Sequence, residues 1–289
     1  MLINSVKKVA AIHDLSGFGR ASLTAIIPII SSMGHQVCPM PTAVLSSHTG
    51  GFEDYSFVDL TDSMSAFAEH WKKLELNFDC IYSGFLGSPK QIDIIEKLIE
   101  DMKRENTLIV VDPVLGDNGK LYETICDNMV KKMRGLIKKA DIITPNYTEA
   151  VLLLGEDYNQ EINEEKIKEW LVRLSDMGPR IVIITSVPHN EDTTNVIAYN
   201  RDDGKFLKVS CVYIPAHFPG TGDIFTSVLI GSILNGDSLP IALDRSVQFI
   251  TSAIVASYGF AYPHREGVLL EKVLENLKLP LLNSTCELI

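Results

Sequence analysis

The chain has 289 residues with 26 Lys and Arg against 37 Asp and Glu, a formal charge of −11. At 46% hydrophobic and 22% charged it has ordinary globular composition, which excludes a disordered or collagen-like chain. An acidic balance without a Lys/Arg run repels phosphate backbones and anionic lipid, so neither nucleic acid nor a membrane is an expected partner. Any phosphate must be held locally, by backbone amides and a bridging cation.

Short apolar or β-branched runs alternate with helical patterns. Val9 to Ile12, Val37 to Leu45, Phe78 to Tyr82, Leu108 to Asp112, Asp141 to Thr144 and Ile181 to Thr185 lack polar alternation, as strands covered on both faces do. Asp59 to Leu74, Pro89 to Arg104, Glu123 to Lys138 and Glu164 to Met177 are apolar at three- and four-residue spacing and read as helices. This β-α-β-α order predicts a parallel sheet. Asn195 to Tyr199 and Lys208 to Ile214, around Asp202, Asp203 and Gly204, predict an antiparallel hairpin at one sheet edge. Gly222 to Asn235, Ile241 to Ser257 and Gly267 to Leu277 predict a helical last third, and Pro280 to Ile289 a tail. No internal repeat or linker appears, so residues 1–289 are expected to form one domain.

The longest apolar runs, Ala25 to Ile30 and Val228 to Leu234, fall short of the roughly 20 residues a membrane span needs. The N-terminus carries no cleavable signal and reads as a cytoplasmic start. Five cysteines, an odd number without a C-x-x-C pair, argue against a disulfide framework and a zinc site.

In an open parallel sheet the ligand sits beyond the carboxyl ends of the strands, so the polar loops are informative. His13 to Ser22 holds Gly17 and Gly19, but Ser22 replaces the third small residue of a dinucleotide fingerprint and no acid ends the second strand; a tight turn with an Asp cap explains it as well. Ser46 to Gly51 offers hydroxyls and His48 to a small polar substrate, or forms a solvated loop. Phe85 stands between Gly84 and Gly87, as a core ring or a stacking face. Asp112 and Asp117 place two carboxylates at one loop, suited to a hydrated Mg²⁺ or to a capped turn. Asn146 and Glu149 share a helix face, as a site pair or a capping box. Gly220-Thr221-Gly222-Asp223 opens an apolar helix: its amides and dipole make an anion hole, and Asp223, kept ionised by the dipole, makes a modest base. A glycine-rich cap is the competing reading. No G-x-x-x-x-G-K-[ST] occurs.

Taken together, Asp112-Pro113 with Gly116-Asp117, Asn146-x-x-Glu149 and Gly220-Thr221-Gly222-Asp223 resemble the ribokinase superfamily over nearly the whole chain. Ser47-His48-Thr49-Gly50, Asp112 to Asp117 and Ile142 to Asn146 resemble its vitamin B6 kinase branch. The resemblance implies a ribokinase-like three-layer α/β/α fold with a mostly parallel sheet, and ATP-dependent phosphorylation of a 5′-hydroxymethyl group on a pyridine ring. It places Asp223 on the substrate hydroxyl, with Gly220, Thr221 and Gly222 around the transferring phosphoryl. Asp14, Ala21, His48, Thr49 and Phe85 would bind the substrate. Asp117 and Glu149, with Asp112 and Asn146, would hold Mg²⁺ against ATP, Thr144, Thr185 and Ser186 would lie near its phosphates, and Tyr122 would cover them. A homodimer and a monovalent cation, K⁺, are further implications. Two departures stand out: the branch typically has Ser at the position of Asp14 and Tyr at that of Phe85. Asp14-Leu15-Ser16-Gly17 also resembles hydroxymethylpyrimidine (phosphate) kinases of the thiamine branch, which usually carry Cys where this chain has Asp223. A hydroxymethylpyrimidine kinase and a non-catalytic nucleotide-binding module are therefore the alternatives.

Overall fold

The structure is a computed structural model that describes residues 6–190, 193–281 and 283–289. In chain order the main elements are β1 (Lys8–Ser16), α1 (Leu23–Ser32), β2 (Gln36–Leu45), β3 (Phe57–Asp59), α2 (Thr61–Lys73), β4 (Cys80–Ser83), α3 (Pro89–Met102), β5 (Leu108–Val111), β6 (Gly116–Asp117), β7 (Lys120–Leu121), α4 (Asp127–Leu136), β8 (Ile142–Ile143), α5 (Tyr147–Leu154), α6 (Glu164–Asp176), β9 (Ile181–Asn190), β10 (Thr193–Asn200), β11 (Lys205–Val212), α7 (Thr221–Leu234), α8 (Leu239–Tyr258) and β12 (Glu287–Leu288).

Among the described residues, ten strands form one sheet in the order β12-β11-β10-β9-β8-β5-β4-β1-β2-β3. From β9 to β2 every neighbouring pair is parallel, and β3, β10, β11 and β12 are antiparallel at the edges. Alternation along β1 sends Ala10 and Ile12 into the layer holding α2 to α6, and Val9 and Ala11 into the layer holding α1, α7 and α8. This is the three-layer α/β/α architecture, and its uninterrupted strands are the ones whose two faces are both covered by helices.

Several boundaries differ from expectation for identifiable reasons. Residues 57–59, short and exposed, pair with β2 before the helix begins at Thr61. Residues 123–138 give a helix only from Asp127, closed by a 3-10 turn at Ile137–Lys139. The apolar spacing within 267–277 is satisfied by successive 3-10 turns at Leu270–Lys272 and Leu274–Lys278 rather than by an α-helix. The expected tail carries β12, hydrogen-bonded to β11. It is latched to α8 through Asp244, which is fully buried and accepts from Ser284, Thr285 and Cys286. Helix α8, at 20 residues and mean hydropathy 1.2, is long and apolar enough to pass a membrane-length test. Here it packs on α7 and buries Ala242, Leu243 and Val247 in the layer beneath.

Candidate active site

Strand order reverses beside β1, which lies between β2 and β4 although β2 follows it in sequence; a doubly wound sheet opens a crevice at such a point. Residues of β1 and β9, the loops following β1, β2, β4, β5 and β8, and the start of α7 enclose one cleft of about 240 Å³. Every residue that the resemblance assigns to the site lines it: Asp14, Ala21, His48, Thr49 and Phe85; Asp112, Asp117, Tyr122, Thr144, Asn146, Glu149, Thr185 and Ser186; and Gly220, Thr221, Gly222 and Asp223. Ser22, Val114, His217, Phe218 and Pro219 also line it, without a role in the sequence reading.

The start of α7 is built around Gly220, its N-cap, in the left-handed conformation at φ 82°. A Cβ there would lie 2.3 Å from the Arg20 carbonyl oxygen and 2.9 Å from Ala21 Cα, so only glycine allows the β1–α1 loop to seat against the helix end. No side chain among the described residues caps α7, which leaves its first amides bare toward the cleft with the positive end of the helix dipole behind them. Asp223 is in this first turn. Its Oδ2 accepts the Ser22 backbone N–H at 2.8 Å, and its Oδ1 is 3.7 Å from His13 Nδ1. Ser22 itself is held at φ 50°, a strained value for a non-glycine residue, and Ser186 across the cleft at φ 55°.

The expectation that the dipole keeps Asp223 ionised is corrected by its surroundings. Its side chain is only 14% exposed. Burial pushes its pKa up to about 7, against the Ser22 N–H, which lowers it, and with Asp14, which adds to the rise. It is therefore poised near neutrality, a better match for accepting a proton than a fully acidic carboxyl.

Asn146 and Glu149 form a complete capping box on α5: Asn146 Oδ1 accepts from Glu149 N at 2.9 Å and Glu149 Oε2 from Asn146 N at 2.8 Å. Glu149 Oε1 additionally accepts from Leu115 N at 3.1 Å, and Asn146 Nδ2 donates to the Gly116 carbonyl at 2.9 Å. The cap and the cleft are thus one structure, tying the β5–β6 loop to α5. Burial raises Glu149 to about 8 despite its backbone bonds, and burial with Glu149 and Asp223 as neighbours raises Asp112 well above the carboxylate range.

At the other end, the β1–β2 ladder shifts register between His13 and Leu15, with one extra residue in β2, and Asp14 sits at this irregularity. Asp14 is buried and takes the Ser16 hydroxyl at 2.9 Å; burial raises its pKa, against hydroxyl bonds from Ser22 and Ser16. His48 Nδ1 accepts from Gly50 N at 3.0 Å, which puts its proton on Nε2. Its ring fits against Gly19, where a Cβ would lie 2.3 Å away.

Five carboxylates, Asp14, Asp112, Asp117, Glu149 and Asp223, and no lysine or arginine line the cleft among the described residues. Their mutual repulsion favours an added cation, and the all-oxygen donor set around Asp117 and Glu149 suits Mg²⁺, which takes one or two carboxylates and fills the rest with water and phosphate. No group of three His, Cys, Asp or Glu side chains is placed to hold a metal unaided among the described residues.

Four matches among known proteins bear on this cleft. A Bacteroides thetaiotaomicron protein described as a candidate phosphomethylpyrimidine kinase, crystallised with pyridoxal, superposes with TM-score 0.96 at 57% identity over 99% of this chain and 100% of its own. Pyridoxal kinase from Lactobacillus plantarum superposes with TM-score 0.87 at 31% identity over 94% and 97% of the two chains. Pyridoxal kinase of Arabidopsis thaliana is 28% identical over 257 residues, 84% of this chain and 78% of that one. A family model, phosphomethylpyrimidine kinase, matches residues 18–267, which include every cleft residue but Asp14; this chain, ribokinase-like in fold, belongs to that family.

Proposed function

We propose that the protein is an ATP-dependent kinase that phosphorylates the 5′-hydroxymethyl group of a vitamin B6 vitamer, pyridoxal, pyridoxine or pyridoxamine. The observation that carries this reading is the joint opening, into one cleft, of the bare α7 amides with Asp223 and of a small, partly aromatic pocket formed by Asp14, Ala21, His48, Thr49 and Phe85. The pyridoxal bound to the 57% identical Bacteroides protein supports it, as do the relatives named pyridoxal kinases.

In this reading Asp223 accepts the hydroxyl proton, the substrate oxygen forms its bond to the γ-phosphorus, and the bond from that phosphorus to the β–γ bridging oxygen breaks to release ADP. The amides of Thr221 and Gly222 hold the charge that spreads over the transferring phosphoryl oxygens. Asp117 and Glu149, with Asp112 and Asn146, would hold Mg²⁺, which when bound neutralises phosphate charge. Thr144, Thr185, Ser186 and Tyr122 line the nucleotide half. The family resemblance adds a homodimer, K⁺ as a second cation, a cytoplasmic location and a single domain over 1–289 to the proposal.

A second reading is favoured by the family's description and by the Asp14-Leu15-Ser16-Gly17 motif: a hydroxymethylpyrimidine kinase. Incubation with MgATP and each vitamer, or with hydroxymethylpyrimidine, while following ADP release separates the two. Faster turnover of the pyrimidine than of every vitamer assigns the protein to the thiamine branch. No ADP release with any acceptor leaves a non-catalytic nucleotide-binding module.

A further inference from the structure

Beside Asp223 lies a histidine that the sequence reading passes over without a role. His13, in β1, is fully buried, and neither of its ring nitrogens has a hydrogen-bond partner among the described residues. An orphaned polar atom in a core is costly, so a side chain kept in this condition calls for an explanation. The ring is also held in place. Tyr82 meets it edge-on at 4.3 Å between centroids, and Gly84 faces it so closely that a Cβ at Gly84 would lie 2.2 Å from His13 Cε1. Held this way, its Nδ1 is 3.7 Å from Asp223 Oδ1, less than an ångström beyond hydrogen-bond length.

We propose that His13 is the positioning residue of Asp223: its Nδ1–H closes onto Asp223 Oδ1 when substrate enters, fixing the carboxylate on both oxygens, Ser22 N–H already holding the other, with its remaining lone pairs toward the substrate hydroxyl. The inference rests on the kinase reading given above. The donor is neutral, because burial lowers the His13 pKa to about 3, so it orients the base and favours its ionised form without cancelling its charge. The other titratable groups in the field of Asp223 are Asp14 from β1, Asp112 after β5, Tyr82 from β4 and Tyr122 after β7; burial keeps both phenols neutral. A neutral imidazole has one N–H, so donation to Asp223 requires the Nδ1–H tautomer.

The test uses the whole protein and two independent readouts. Ring ¹⁵N NMR, with the His13 signals identified by their loss in His13→Asn, reports which nitrogen carries the proton, without needing any substrate. The pH profile of kcat/KM with MgATP and the preferred vitamer reports the base. His13→Phe, which has no donor, and His13→Gln, whose amide reaches the Nε2 position, should move the acidic limb up by about one pH unit, roughly a tenfold loss below it. His13→Asn, whose amide reaches the Nδ1 position, should bring the limb back, with KM for ATP steady across the set. If His13→Phe does not fold, the Asn and Gln pair still decides. A proton found on Nε2, or a limb that stays put in His13→Gln, overturns the proposal. An Nδ1 proton in a protein that phosphorylates no vitamer overturns the kinase reading and leaves the tautomer assignment standing.

Discussion

Replacing Asp223 by Asn tests the electrostatics of the cleft without reference to any substrate. The carboxyl titrates near 3.8 in the unfolded chain and near 7 in the folded one, chiefly because of burial. Between those values the folded state binds the extra proton, so stability falls as pH rises through this window and levels off above it. At pH 5 the cost of keeping the folded carboxyl protonated while the unfolded one ionises is a little over one pH unit, roughly 2 kcal/mol. At pH 8 it is about three units, roughly 4 kcal/mol at 1.36 kcal/mol per unit. A neutral amide at this position would carry no such penalty, and its carbonyl oxygen can still accept the Ser22 N–H. Asp223→Asn should therefore be more stable than the parent, by a margin that grows by on the order of 2–3 kcal/mol from pH 5 to pH 8, an upper bound because 14% of the side chain still meets solvent. Urea denaturation of both proteins at the two pH values measures it. The same variant should lose about 10²–10⁴-fold in kcat while keeping its nucleotide affinity, because the anion hole is intact. A margin that does not change with pH refutes the argument that burial holds this carboxyl near neutrality.

Other outcomes follow from single contacts. Gly220→Ala should lower the melting temperature sharply and abolish turnover, since its Cβ would meet the Arg20 carbonyl at 2.3 Å, whereas Gly222→Ala, whose Cβ meets only Asp112 Oδ2 at 3.8 Å, should fold normally and show its loss in kcat. Glu149→Gln keeps one of two backbone acceptors and should raise the Mg²⁺ concentration for half-maximal rate; an unchanged metal titration removes Glu149 from the proposed metal site. Asp14→Asn should raise KM for the vitamer several-fold with KM for ATP unchanged, as Asp14 lies at the far end of the cleft from the nucleotide residues in this reading; equal shifts in both would contradict that division. Rate should climb as pH passes through about 7 and Asp223 gives up its proton, which a pH series of kcat/KM checks.

The central sheet was legible because strands covered on both faces appear as unbroken apolar runs, and the cleft because glycines, prolines and acids mark the loops at the strands' carboxyl ends. What escaped notice works through features that side-chain identity does not encode. The three residues of β3 are exposed and too few to show a period. The repeat of Val268, Leu270, Val273 and Leu277 mimics a helix, yet packs as 3-10 turns against α8. Ser22 acts through a backbone N–H at a positive φ, which no motif reveals. His13 became visible only when the fold buried it, and Asp223 was misjudged because the sequence announces a helix start but not the desolvation around it.

The loop from Arg20 to Ser22 touches both halves of the cleft at once. Its carbonyl abuts Gly220, Ala21 walls the pocket, Ser22 holds Asp223, and Arg20 is fastened to Glu271 and to the Glu266 carbonyl. Affinity for acceptor and donor is therefore mechanically shared here. A substitution in these three residues cannot retune the choice of vitamer alone, so redesign of specificity belongs at Thr49 and Phe85, which line the cleft from the loops after β2 and β4.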